Sequence, residues 1–275
     1  MGKFKNSVLI SDFDGTLINK EGNISKENID AINYYIDNGG IFCGATGRTH
    51  LGVDKMREAL PVVAPWILFN GAGVYDFRSN EFVHVDSIDS STLLPIAKEV
   101  MDKLPHMNVQ VTTSKMQYFV NSNGRPDPIV IEENQLYEEK NIEEINEPWI
   151  KLIFNGSQKD LKKIEMIILE RLDQETFRYF YSGKSYLEIM GRKVSKGTGL
   201  KALVESLTDN IEKIYAIGDY YNDVELLMVA DISAAPDNAP DDIKENVDII
   251  VSGHDNHAVM EFINWIDKNI YNKEV

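Results

Sequence analysis

The sequence predicts an α/β protein, a doubly wound parallel sheet of Rossmann type with an inserted α+β domain. Three observations predict it. Short apolar runs alternate with amphipathic stretches in both the first and the last third of the chain. Several of these runs end in a polar tip rich in Gly, Asp, Thr or Asn. Between residues 83 and 188 the grammar changes to helices mixed with hairpin-type strand pairs.

The first strand is the apolar run beginning at Ser7, which leads into Ser11-Asp12-Phe13-Asp14-Gly15-Thr16-Leu17-Ile18. Alternation along a strand is expected to put Asp12 and Asp14 on one side of the chain, with Phe13 on the apolar wall, before Gly15 turns the backbone. Two carboxylates that close repel each other unless a cation lies between them. A divalent metal with oxygen ligands is the usual answer.

Residues 23–36 carry apolar side chains at 29, 32 or 33, and 36, with Ser25 as N-cap and Gly39-Gly40 as stop, which predicts a helix. Ile41-Phe42-Cys43-Gly44-Ala45 is a second strand leading into Thr46-Gly47-Arg48-Thr49, and a helix over 51–60 follows. Residues 65–69 form a third strand, ending at Asn70-Gly71-Ala72-Gly73. Strands alternating with helices imply parallel pairing with right-handed crossovers, where chemistry collects at the carboxyl ends of the strands.

The inserted domain is expected over 83–188, leaving 1–82 and 189–275 as the α/β core. Its pattern reads as a helix at 91–104, strands at 109–113 and 117–120, an acidic stretch at 132–147, a strand at 149–154, a helix at 160–172 and strands at 176–181 and 185–189 joined through Ser182-Gly183. The core pattern then resumes. A helix over 196–207 precedes the strand Ile214-Tyr215-Ala216-Ile217, which ends at Gly218-Asp219-Tyr220-Tyr221-Asn222-Asp223. A helix at 224–229, short strands at 232–235 and 249–251, a helical stretch at 241–246 and a closing helix at 258–271 complete the chain.

Composition narrows the partner. With 28 Lys and Arg against 44 Asp and Glu, the net charge is −16, which argues against a nucleic-acid backbone. No apolar run is long enough to span a membrane and no export-type segment opens the sequence, so a cytoplasmic protein with no membrane partner is expected. The single Cys43 excludes an internal disulfide and fits a reducing compartment. The five His, at 50, 84, 106, 254 and 257, match no metal-ligand spacing.

Four strand-end clusters carry candidate chemistry: Asp12 with Asp14, Thr46, Lys196, and Asp219 with Asp223. Each has an ordinary structural reading by itself. Asp-rich strand ends serve as turns or caps, Thr46 as an ST-turn or N-cap, Lys196 as a solvated cation, and Asp219 to Asp223 as the acidic first turn of a helix. Their joint occurrence on one strand–helix framework is what distinguishes them.

In that combination the sequence resembles the haloacid dehalogenase superfamily of aspartate-nucleophile phosphatases, and most closely its Cof-like group with a large α/β (C2-type) cap. The matching motifs are Asp12-Phe13-Asp14-Gly15-Thr16-Leu17, Ala45-Thr46-Gly47-Arg48, Lys196-Gly197 and Gly218-Asp219-Tyr220-Tyr221-Asn222-Asp223, with Asn70-Gly71-Ala72 between them. The resemblance implies that Asp12 attacks phosphorus to form an aspartyl-phosphate, while Asp14 protonates the leaving oxygen and then activates water. It implies Mg²⁺ held by Asp12, the Asp14 carbonyl and Asp219, with Asp223 ordering the shell. Lys196 would balance charge, Thr46 with Gly47 and neighbouring amides at a helix start would bind phosphoryl oxygens, and Asn222 would contact the phosphate or orient Lys196. The loss of Lys196 is expected to cripple turnover more than folding.

Arg48 and Asn70 are left open between gripping the leaving group and holding the loops. Arg125 and Lys184, at expected loop tips of the inserted domain, are candidates for a second anionic group on the substrate. The expected substrate is a small phosphorylated metabolite, a sugar phosphate or a phosphorylated cofactor, and the expected assembly a monomer or weak homodimer. A sugar phosphomutase shares the same covalent intermediate and is the alternative enzyme. Outside enzymes, the alternatives are a phosphoacceptor domain of response-regulator type, against which the Asp-x-Asp-Gly-Thr pattern and the insertion argue, and a catalytically dead binding protein.

Overall fold

The computed structural model describes residues 2–122, 124, 127–132, 136–182 and 184–272. The chain divides into two compact units, Met1–His84 with Ser195–Val275, and Val85–Val194. In chain order the first unit opens with strand β1 (Ser7–Asp12), helix α1 (Lys26–Asp37), strand β2 (Ile41–Ala45), helix α2 (His50–Arg57) and strands β3 (Trp66–Leu68), β4 (Gly73–Asp76) and β5 (Glu81–Val85). The second unit supplies helix α3 (Ser90–Lys103), strands β6 (Asn108–Thr113) and β7 (Gln117–Asn121), helix α4 (Pro128–Glu132), strands β8 (Tyr137–Glu139) and β9 (Trp149–Asn155), helix α5 (Gln158–Arg171), and strands β10 (Phe177–Phe180) and β11 (Tyr186–Gly191). The first unit then resumes with helix α6 (Lys196–Ser206), strand β12 (Lys213–Ile217), helix α7 (Val224–Val229), strand β13 (Ile232–Pro236), helix α8 (Asp241–Lys244), strand β14 (Ile249–Val251) and helix α9 (Ala258–Ile266).

Among the described residues the first unit is built on an eight-stranded sheet in the order β14-β13-β12-β1-β2-β3-β4-β5. From β14 to β3 the pairs are parallel, and β4 runs antiparallel to β3. All six residues of β1 are buried, the pattern of a parallel strand covered on both faces. Because the chain leaves β1 for β2 on one side and returns to β12 on the other, strand order reverses at β1. A crevice is expected there at the carboxyl ends. Those ends are Asp12, Ala45 and Ile217, immediately before the polar tips singled out above. Helix α1 starts where Ser25 accepts from the Asn28 N–H and turns Ala31, Ile32 and Tyr35 inward.

Among the described residues the second unit carries a six-stranded sheet in the order β10-β11-β9-β6-β7-β8. Val109, Val111, Leu152, Phe154, Leu187 and Ile189 pack with Leu93, Ile96 and Val100 of α3 and Leu161, Ile164 and Ile168 of α5 into its core. Several of the alternate positions are polar and hydrogen-bonded. Gln117 donates to Gln110, Gln110 to Asp127 and Thr112 to Gln117. Among them Lys151 donates to Glu188 at 2.9 Å, with both side chains only 9% exposed. A buried pair broken on one side leaves an uncompensated charge. Lys151→Met is therefore expected to cost about 3–5 kcal/mol in urea unfolding, while Lys151→Met with Glu188→Leu recovers most of it. A double variant as unstable as the single would refute this account.

The acidic stretch at 132–147 contains a strand the pattern did not reveal. β8 pairs parallel with β7 although Tyr137, Glu138 and Glu139 are all exposed, so it has no apolar alternation to read. The expected boundaries at 82/83 and 188/189 also move. β5 continues the first sheet to Val85, and β11 stays paired with both neighbours past residue 188, so a break there would cut a strand.

Candidate active site

Asp12, the last residue of β1, is buried with Lys196 and Asp223. Lys196 is the first residue of α6, an unfavourable place for a cation beside the positive end of a helix. Two carboxylates offset this: its Nζ donates to Asp12 Oδ1 and, at 2.6 Å, to Asp223 Oδ1. Burial by itself pushes the ammonium down, but the charges of Asp12 and Asp223 outweigh it and hold Lys196 above its ordinary range. The helix start is fixed by a capping box in which Ser195 Oγ accepts from the Thr198 N–H and Thr198 Oγ1 from the Ser195 N–H. The solvated reading of Lys196 is thereby excluded, since the side chain has no exposed surface.

The loop after β12 brings the remaining carboxylates. Asp223 precedes α7, yet its side chain does not cap that helix. It reaches back, and Oδ2 accepts from the Asp219 and Tyr220 N–H groups at 3.1 Å each. Asp223 therefore folds the loop that presents Asp219. Carboxylate oxygens of Asp12, Asp219 and Asp223 lie within 4.8 Å of one another. Burial, and then the charge of Asp223, push Asp12 and Asp219 above the usual carboxylate range. Three carboxylates face one ammonium. Among the described residues the buried Asp12 Oδ2 has no hydrogen-bond partner. This deficit of positive charge and the hard oxygen donors fit a divalent cation.

Asp14 departs from expectation. Its carboxylate does not join the cluster but pairs with Arg48, whose Nε donates to Oδ2 at 2.9 Å and whose Nη2 donates to Oδ1 at 2.8 Å. β1 ends at Asp12, so strand alternation does not extend to Asp14. Each aspartate has its own cation, Lys196 for Asp12 and Arg48 for Asp14. The chain turns at Gly15, where φ is +85° and an added Cβ would stand 2.4 Å from Asp219 Oδ2.

Thr46 is buried just beyond β2. Its Oγ1 accepts from the Arg48 N–H at 3.2 Å, an ST-turn that leaves the hydroxyl hydrogen available to donate. The N-cap of α2 is Thr49, which accepts from the Gly52 N–H. Thr46 and Gly47 thus lie in a loop and not, as expected, at a helix start. Beyond β3, Phe69, Asn70 and Gly71 all have positive φ, at 52°, 55° and 102°. For a non-Gly residue such a conformation costs about 1–3 kcal/mol. Asn70 is buried, and its Oδ1 accepts from Asn222 Nδ2 at 3.2 Å. Lys184 is exposed in the second unit, and Arg125 lies outside the described residues.

Two supporting residues had not been assigned roles. Thr16, fully buried, donates to Asp219 Oδ1 at 3.2 Å. It sits inside the opening motif, so its place was legible and its partner was not. Asn238 donates to the Gly15 carbonyl at 2.9 Å and accepts from the His254 N–H. No local pattern marks it.

A family model described as haloacid dehalogenase-like hydrolase matches residues 9–263. The chain is 26% identical to the 5-amino-6-(5-phospho-D-ribitylamino)uracil phosphatase YwtE of Bacillus subtilis (strain 168), over 93% of this chain and 96% of that protein. It is 21% identical to the pyridoxal phosphate phosphatase YbhA of Escherichia coli (strain K12), over 93% and 97%. In fold it is similar to the crystal structure of a haloacid dehalogenase-like hydrolase from Bacteroides thetaiotaomicron, with a TM-score of 0.83, 23% identity and coverage of 94% and 99%.

Proposed function

The chain belongs to the haloacid dehalogenase-like hydrolases, and from that premise we propose that it hydrolyses phosphomonoesters of small metabolites with Mg²⁺ through an aspartyl-phosphate on Asp12. The observation that carries this reading is the buried Lys196 held between Asp12 and Asp223, beside the Asp219 carboxylate. Such a constellation suits a bound phosphoryl group better than a structural ion pair, because among the described residues it leaves a buried nucleophilic oxygen without a partner.

Asp12 attacks phosphorus as the bond to the leaving oxygen breaks, and Asp14 gives that oxygen its proton. In the second half Asp14 takes a proton from water as the water oxygen bonds to phosphorus. The phosphorus–Asp12 bond breaks, inorganic phosphate leaves and the Asp12 carboxylate returns. Arg48 orients Asp14 through its two-point contact. Lys196 neutralises charge between nucleophile and phosphoryl group, while the Thr46 hydroxyl, the Gly47 amide and Asn222 donate to phosphoryl oxygens. Asp12, Asp219 and the Asp14 carbonyl would hold Mg²⁺. Asp223, with both oxygens engaged, orders this shell. Bound there, the ion supplies the positive charge that the carboxylates and phosphoryl oxygens require.

The relatives named for a ribitylamino-uracil phosphate and for pyridoxal phosphate support polyol phosphates and phosphorylated cofactors as the first candidates to assay. Phosphate release from a panel of both classes tests the reading. Release should depend on Mg²⁺ and stop with EDTA. Isomerised sugar phosphate without free phosphate would indicate a mutase, and no turnover of any member would sink the reading.

A further inference from the structure

We propose that the left-handed turn Phe69–Asn70–Gly71 is a positioning element of the active site, and that the Asn70 carboxamide acts through Asn222. The proposal rests on the reading above only in giving Asn222 a phosphoryl contact. The turn touches three of the four motif loops at once. The Phe69 N–H donates to the Arg48 carbonyl at 3.1 Å and the Asn70 N–H to the Thr46 carbonyl at 3.0 Å. Gly71 lies so close to the start of α6 that an added Cβ would stand 1.9 Å from the Ser195 carbonyl oxygen, next to Lys196. Asn222 Nδ2 donates to Asn70 Oδ1, and Gly47 leaves room for the Asn70 carboxamide, since a Cβ there would stand 3.0 Å from Oδ1.

Asn70 and Gly71 are residue types that tolerate positive φ, but Phe69 is not. Phe69 is a bulky residue at φ +52°, kept there by burial of its ring, which stacks on Phe82 at 5.9 Å. A relaxed turn would detach the Asn70 side chain from Asn222, because only the left-handed conformation joins the backbone contact to Thr46 with the side-chain contact to Asn222. Strain maintained at a point that touches three functional loops implies a role in their registration.

Asn70→Gly and Asn70→Ala separate the backbone from the side chain. Glycine accepts φ +55° without strain and alanine does not, so the glycine variant should melt at a higher temperature than the alanine variant. Both lose the carboxamide. The expected result is an equal fall in kcat/KM with p-nitrophenyl phosphate, by about 10- to 100-fold, despite different melting temperatures. Adding Asn222→Ala to either should lower kcat/KM by no more than about 3-fold below the weaker single variant. The side-chain amide protons of Asn222, followed by ¹H–¹⁵N NMR, should shift alike in both Asn70 variants. Activity that instead follows melting temperature, losses that multiply in the double variants, or an unmoved Asn222 amide would each overturn the proposal. Should the parent protein turn over no phosphomonoester, the phosphatase reading fails while the amide shift still decides the Asn70–Asn222 coupling.

Discussion

Asp12→Asn is expected to reduce phosphate release by at least about 10⁴-fold, with the melting temperature changed by no more than a few degrees. Removing the nucleophile of a covalent mechanism leaves only the binding and charge-stabilising groups, whose residual effect is small beside the whole. The small thermal effect follows from the geometry. Lys196 keeps Asp223 at 2.6 Å, and neutralising one of three crowded carboxylates relieves the burial and repulsion that hold Asp12 high. Steady-state kinetics with thermal unfolding in EDTA provide the test. Turnover within tenfold of the parent would remove Asp12 from the role of nucleophile.

Lys196→Met should lower both turnover and stability. The ammonium is completely buried and is the partner of both Asp12 and Asp223, so its loss strands two buried carboxylates. Breaking one side of such an arrangement costs about 3–5 kcal/mol. To the expectation from sequence alone, that turnover suffers more than folding, the buried pairing adds a measurable loss of stability. A lysine at that helix position reads as solvated until its two partners are known. Mg²⁺ should restore part of the stability, by about 2.7 kcal/mol at a hundredfold excess over its dissociation constant, and should not restore turnover. Urea unfolding with Mg²⁺ or EDTA, paired with phosphate-release assays, measures both. A variant as stable as the parent in EDTA would contradict the assignment of Lys196 as the compensating charge.

The relation between local pattern and site is clear in individual residues. Asp12, Asp219 and Lys196 could be singled out because each stands at a strand end or helix start marked by apolar periodicity, and that framework converges such ends. Asn238 could not, because its importance is a single contact to the Gly15 carbonyl across a separation of 223 residues. β8 was hidden because an exposed strand carries no alternation. Asp223 has the spacing of a helix cap, and only its contacts show it folding the loop that presents Asp219.

The alternating α/β framework, the presence of an α+β insertion and the acidic, hydroxyl and cationic groups at the strand ends were legible in the sequence. These are properties of periodicity and order along the chain, set by short-range geometry. How those groups pair is visible in the folded chain alone. Asp12 faces Lys196, Asp14 faces Arg48, and Asn222 meets an Asn70 held in a left-handed turn. Each of these contacts joins residues distant in sequence, and its geometry depends on burial and loop closure, which local periodicity does not encode.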